Sequence, residues 1–205
     1  MDIKVKICGL TNLEDALFCG SAGADAIGFI FYEKSPRYIT PAKAAQIIDQ
    51  LPSYITPVGV FVNEKRPTIE RIIDETGIRS IQLSGDERPN DCGGYSVKVV
   101  KSFRIRNSSE VEQVKDYKIS AAMLDGASDD SYGGSGMLPD FAIALEMKTY
   151  HPLFLAGGLN PDNVIQAVQQ VQPYAIDVNS GVEYSPGKKD HSKVALLFER
   201  LNHLP

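Results

Sequence analysis

Two side chains able to move a proton stand where β-type runs of this chain stop. Cys8 closes KVKIC ahead of Gly9, and Asp125 closes AAMLD. A thiol at such an end can act as a base or a nucleophile if nearby positive charge lowers its pKa. The plain alternative is a small buried hydrophobe, which is how Cys19 and Cys92 read. A carboxylate at the end of an apolar run is costly unless it is paired or working; capping a helix is its plain alternative. Two glycine-bearing segments come later, AGGLNPDN with Gly157–Gly158 and DVNSGVE with Ser180–Gly181. Glycine lets the backbone approach a ligand closely. A helix opened by Asn160–Pro161 would add its dipole, so the pair suits a phosphate; two tight turns are the bland alternative. Arg37, in KSPRY, could clamp a carboxylate with two parallel hydrogen bonds or stand in a solvated loop. YGGSG (132–136) reads as a flexible loop or as a lid over an anion. GKKDH (187–191) reads as an exposed turn with Asp190 capping the last helix.

These residues need elements to hold them. Short β-rich runs alternate with helical patterns along residues 1–205. Strands are predicted at 4–8, 25–31, 56–63, 79–85, 96–103, 120–126, 152–158 and 174–181. DAIGFIF (25–31) is nearly continuous in apolar residues, as a strand buried on both faces should be. The helix after the first strand has Thr11 and Glu14 in capping-box spacing. Thr40–Pro41 reads as N-cap and N1 of the next. Further helices are predicted from Pro67, over SSEVEQVKDY, after Asn160–Pro161–Asp162 and over HSKVALLFERL. The helix at PNDCGGY is short and broken, and the sixth follows a long loop.

Eight strands alternating with about eight helices is the count for a single-domain α/β fold, the (β/α)8 or TIM barrel of eight parallel strands. A doubly wound open sheet is the alternative. In the barrel, active sites lie at the C-terminal strand ends, and the loops after strands 7 and 8 often hold phosphate. Cys8, Asp125 and the two glycine segments fall there, together with Phe31–Tyr32, Asn63, Ser84 and Lys101–Phe103.

Other classes are disfavoured. The net charge is −5 with both signs scattered, so no basic stripe suggests nucleic acid and no basic amphipathic segment suggests a membrane. The start MDIKVKICGL has charges at 2, 4 and 6 and no apolar core, unlike a signal peptide. Three cysteines without metal-type spacing fit free thiols in a reducing cytosol. His151, His191 and His203 all fall away from the strand C-termini, so no metal site is expected. There is no Walker-type loop and no GxGxxG after a strand. No long apolar surface segment stands out, so a monomer is expected.

Several segments together resemble one family. KICGLTN, GADAIGFIFYEKSPRYI, VGVFVN, IQLSG, LDG, YGGSG, LAGGLNPDNV and DVNSGVEYSPGKKDH are similar, in order and from end to end, to the N-(5′-phosphoribosyl)anthranilate isomerases of tryptophan biosynthesis. The resemblance implies a (β/α)8 barrel acting without a cofactor on a phosphorylated aminosugar, which it converts from aminoaldose to aminoketose by an Amadori rearrangement. It implies Cys8 as general base and Asp125 as general acid. It places Arg37 near the anthranilate carboxylate, and Ser84 and Asp177 among the substrate-binding residues. The phosphate falls to Gly157, Gly158, Ser180 and Gly181, with Gly134, Ser135 and Gly136 nearby. Such an acid needs its pKa raised and such a base needs its pKa lowered.

Two segments depart from the family pattern. Ser84 stands where Q-L-H-G would give a histidine, and offers a hydroxyl without an imidazole charge. MLPDFAIA follows YGGSG where Phe-Asp-Trp is usual. Other readings are a sugar-phosphate epimerase, which would want strand-end histidines if metal-dependent, and an indole-glycerol-phosphate synthase. The synthase would want a lysine and a glutamate at the mouth and a segment ahead of the first strand. A barrel that binds a ligand without turnover is the remaining reading.

Overall fold

The computed structural model describes residues 3–126 and 138–204. YGGSG, and with it Gly134, Ser135 and Gly136, lies outside the described residues. Eight parallel strands close on themselves: β1 (Lys4–Ile7), β2 (Ala26–Ile30), β3 (Thr56–Phe61), β4 (Ser80–Leu83), β5 (Lys98–Phe103), β6 (Ala121–Leu124), β7 (Leu153–Leu155) and β8 (Ala175–Val178). Closure is made by β1 pairing with β8, with Lys6 opposite Asp177. The open-sheet alternative is therefore excluded.

The strands are shorter than the apolar runs suggest. Cys8, Asp125 and Gly157–Gly158 lie just past the ladders, yet the Cys8 N–H still donates to Val178 O and the Asp125 N–H to Phe103 O. Strand-end chemistry thus sits on backbone that the barrel still holds.

Around the barrel run α1 (Leu13–Ala22), α2 (Pro41–Ile48), α3 (Arg66–Thr76), α4 (Pro89–Cys92), α5 (Phe141–Met147), α6 (Val164–Val171) and α7 (His191–Asn202). Thr40 caps α2, and Asp190 caps α7, as predicted. Three starts or types differ. Asn12, not Thr11, caps α1 by accepting from the Asp15 N–H at 2.9 Å; Thr11 instead donates its hydroxyl to Gly187 O. Asn160 caps no helix. It accepts from the Asp162 N–H within a turn, and α6 begins at Val164. SSEVEQVKDY forms a 3-10 helix, Ser108–Asp116, in which the buried Val111 and Val114 recur at three. That period stacks i and i+3 on one face.

The main core lies between barrel and helices. Ile7, Phe29, Ile81, Leu124, Leu155 and Ile176 point outward from the strands and are fully buried there. Each such side chain contributes about 1.5–3 kcal/mol. The opposite face of each strand, every second residue, points into the barrel.

Candidate active site

The inward set of the strands opens at its C-terminal end into a cavity of about 400 Å³. Cys8 and Asp125 both line it, as do Arg37, Ser84 and Asp177. Gly157, Gly158, Ser180 and Gly181 line it too, on the loops after β7 and β8, between the β6 end that carries Asp125 and the β1 end that carries Cys8. Every described residue that the resemblance gave a role therefore reaches one cavity, whereas Phe31, Asn63, Lys101 and Phe103 from the predicted strand ends do not line it.

Gly157 and Gly158 take φ of +90° and +58°, a region that favours glycine. A Cβ on Gly181 would collide with the Leu159 carbonyl oxygen, so the loops after β7 and β8 lean directly on each other. The Asn163 side chain holds the first loop by donating to Gly158 O at 2.9 Å. A short 3-10 turn, Ser180–Val182, begins in the second. Exposed backbone N–H groups on such turns suit a phosphate.

Asp125 is half-buried, and its carboxyl is pushed up to about 6, first by burial and next by the charge of Asp177. The Gly126 N–H, Lys6 and Arg104 work against that shift. The direction is the one an acid needs. Cys8 goes the other way from the expectation: burial pushes its thiol up, with Lys6 as the leading counterweight and Asp177 adding to the rise. Cys19 and Cys92 are buried in packing, as predicted, with thiols pushed up to about 12 and about 11.

Arg37 lies at the mouth, but its fork is already engaged. Nε and Nη2 donate to the Glu183 carboxylate at 2.9 and 2.7 Å. A ligand carboxylate can then meet only the Nη1 side. Ser84 accepts from Gln82 Nε2 at 3.0 Å. Lys101 is placed elsewhere. Its inward-facing neighbours Ser102 and Arg104 line the cavity, while Lys101 Nζ turns outward to Gly85 O and the Glu87 carboxylate.

Sequence reasoning missed Lys6, Glu183 and Lys189. The expected exposed turn at GKKDH is a hairpin of β9 (Glu183–Ser185) and β10 (Lys188–Lys189) with Lys189 buried. Lys189 Nζ donates to Glu183 and to Asn179 at 3.1 Å each. Further out, His191 pairs with Asp15 at 2.8 Å and stacks on Phe18. A signal for Lys6 was present: in a strand, Lys4, Lys6 and Cys8 share one face.

Known proteins resemble this chain over nearly its whole length. A family model described as N-(5′-phosphoribosyl)anthranilate (PRA) isomerase matches residues 5–200. The isomerase of Citrifermentans bemidjiense is 51% identical over 195 residues, 95% of each chain. That of Thermotoga neapolitana is 45% identical over 98% of this chain and 100% of its own. The crystal structure of the Thermotoga maritima isomerase superposes with a TM-score of 0.92 at 39% identity, covering 99% of this chain and 100% of that one. An isomerase in complex with reduced 1-(O-carboxyphenylamino)-1-deoxyribulose 5-phosphate superposes with a TM-score of 0.88 at 38% identity, with the same coverage.

Proposed function

The chain belongs to the N-(5′-phosphoribosyl)anthranilate isomerase family, and from that premise we propose that Cys8 and Asp125 divide the proton work of its reaction. The enzyme is an isomerase of tryptophan biosynthesis. It converts N-(5-phosphoribosyl)anthranilate to 1-(2-carboxyphenylamino)-1-deoxyribulose 5-phosphate. The observation that carries the assignment is that the thiol and the carboxyl line one cavity together with the two glycine loops.

Asp125, in its protonated form, gives a proton to the furanose oxygen. The bond from that oxygen to C1′ breaks and leaves an iminium. The iminium acidifies C2′, and the Cys8 thiolate removes its proton. The enolamine then takes a proton at C1′, loses one from the C2′ hydroxyl, and becomes the ketone. General acid–base help of this kind is worth on the order of 10²–10⁴-fold per group. The loops at Gly157–Gly158 and Ser180–Gly181 hold the phosphate, and Arg37, Ser84 and Asp177 face the rest of the substrate.

One proton shared between two sites defines the working form. A carboxyl near 6 and a thiol above its ordinary 9.0 mean that the free enzyme at neutral pH mostly carries carboxylate and thiol. The productive arrangement, carboxylic acid and thiolate, holds the same number of protons and is the minor form of that pair.

Cys8→Ser tests the base. Its turnover should be nearly abolished while fold and product affinity stay. Turnover within a few-fold of the parent would reject the assignment.

The same proposal places the enzyme in the cytoplasm, where Cys8, Cys19 and Cys92 remain free thiols; no helix among the described residues is long and apolar enough to cross a membrane. It also takes the enzyme to work as a monomer, because one chain supplies the cavity lining described above. Sedimentation showing a dimer whose dissociation abolishes turnover would reject that.

A further inference from the structure

The barrel interior holds a lysine that the reaction as written does not use. Lys6 is 2% exposed, and its cross-strand partner Asp177 is 8% exposed. Lys6 Nζ donates to Asp177 Oδ1 at 2.8 Å. Cys8 lies two residues along the same face of β1, and the charge of this ammonium is felt at its thiol. Gly28 of β2 leaves the room for this. A Cβ there would stand 2.7 Å from Cys8 Sγ and 3.1 Å from Lys6 Cε. Asp177 in turn lines the cavity with Asp125.

Stability gives little reason for such a pair. Desolvating two charges costs several kcal/mol per ion, and apolar replacements of similar volume are often neutral or stabilising. A buried pair whose lysine lies beside the base and whose aspartate shares the cavity with the acid has a use in the reaction. We propose that Lys6–Asp177 is a positioning pair that favours the productive proton arrangement: the ammonium steadies the Cys8 thiolate, and the carboxylate keeps the proton on Asp125. This rests on the acid–base roles proposed above.

The electrostatic directions agree with that geometry. At Cys8, Lys6 is the largest influence after burial and favours the thiolate. At Asp125, Asp177 is the largest influence after burial and favours the neutral acid. The other charges felt at Cys8 are Asp177, which disfavours the thiolate, and Lys189, which favours it weakly. Lys6 and Arg104 act on Asp125 in the opposite sense to Asp177. Each member of the pair therefore helps one catalytic group and hinders the other, and at each group the helping charge is the larger of the two.

The test reads Cys8 directly and needs no turnover. The rate of its alkylation by iodoacetamide is followed against pH in the ligand-free enzyme, with the modified peptide quantified by mass spectrometry and the fold checked by circular dichroism. Lys6→Met should move the midpoint up by about one pH unit or more. Asp177→Asn should move it down, because Lys6 then has only the thiolate to pair with. The double variant, which leaves neither charge unpaired, should fall between Lys6→Met and the parent. A merely structural pair would shift both single variants the same way or neither. If Lys6→Met does not fold, Lys6→Arg should alkylate as the parent does, and Asp177→Asn alone still carries the sign. An Asp177→Asn midpoint at or above the parent overturns the proposal. Failure of the Cys8→Ser test would reject the base role and leave this result standing, and the reverse holds as well.

Discussion

Arg37 and Glu183 meet edge to edge at the cavity mouth, with Nε 2.9 Å from Oε1 and Nη2 2.7 Å from Oε2, and Lys189 grips the same carboxylate from behind at 3.1 Å. The guanidinium is thus oriented before any ligand arrives, which lowers the ordering cost of binding. Glu183→Gln should keep the Arg37 charge but loosen its aim. KM for the natural substrate should rise about tenfold, about 1.4 kcal/mol, with kcat little changed. Arg37→Lys should raise KM further, since a lysine has no fork. The check is a phosphoribosyl aniline, which lacks the ring carboxylate: neither variant should be impaired on it relative to the parent. An equal penalty on both substrates would mean that Arg37 does not meet that carboxylate.

The proton arrangement fixes the shape of the pH profile. At low pH both Asp125 and Cys8 are protonated. The first proton leaves through about 6, mostly from Asp125, and the enzyme enters the one-proton form whose minor arrangement is active. The share of that arrangement does not change with pH while one proton remains. So kcat/KM should rise through about pH 6, stay level, and fall only above the ordinary thiol range, because burial has pushed Cys8 up. In Asp125→Asn, the limb near 6 should vanish from whatever turnover is left. A parent profile with no limb near 6 would contradict the role given to Asp125.

How much of this was legible depends on which physical signal each residue leaves. The barrel was readable because β-rich runs, capped helices and strand-end glycines each have a local cause. Cys8, Asp125 and the two glycine loops were readable because the fold places chemistry at strand C-termini. Thr11 was misread as a cap because its hydroxyl is taken by Gly187, 176 residues away. Lys189 was misread as exposed for the same kind of reason: its partners Glu183 and Asn179 exist only once the hairpin has folded. The direction of the Cys8 shift was also out of reach, since it sets burial and Asp177 against Lys6 and Lys189, a contest that only three-dimensional packing decides.

Asp125 should weaken the fold at the pH where it works. Its folded value near 6 lies above its ordinary 3.8, so the protonated group favours the folded state. That contribution is fully present below about 3.9 and is lost as pH rises through about 6. A rise of about two units corresponds to roughly 3 kcal/mol at most. Asp125→Asn has no charge to desolvate and can still accept from the Gly126 N–H. Its Tm should exceed the parent's by several degrees at pH 8, at about 2–4 °C per kcal/mol for a chain of this size, and match it near pH 4. Equal melting of variant and parent at both pH values would show that the carboxyl is not desolvated in the folded enzyme.

Gly28 offers the sharpest separation of placement from stability. It lies mid-strand in β2, where a glycine ordinarily weakens the strand or marks a close approach. The approach is the Cys8 sulfur, 2.7 Å from where a Cβ would stand, with the Cys8 Cα 3.2 Å away on backbone that cannot easily yield. Gly28→Ala must therefore push the sulfur aside or part β1 from β2. Overpacking of this kind costs about 1–3 kcal/mol, which the gain of alanine over glycine in an extended chain only partly offsets. A displacement near 1 Å of a group that must reach C2′ costs on the order of 10²-fold in rate. The variant should therefore fold, bind product with nearly the parent's affinity through the unchanged loops at Gly157–Gly158 and Ser180–Gly181, and lose about two orders of magnitude in kcat. Titration calorimetry beside steady-state rates reads both numbers. A kcat near the parent's would mean that the sulfur's position beside Gly28 is not what the reaction depends on.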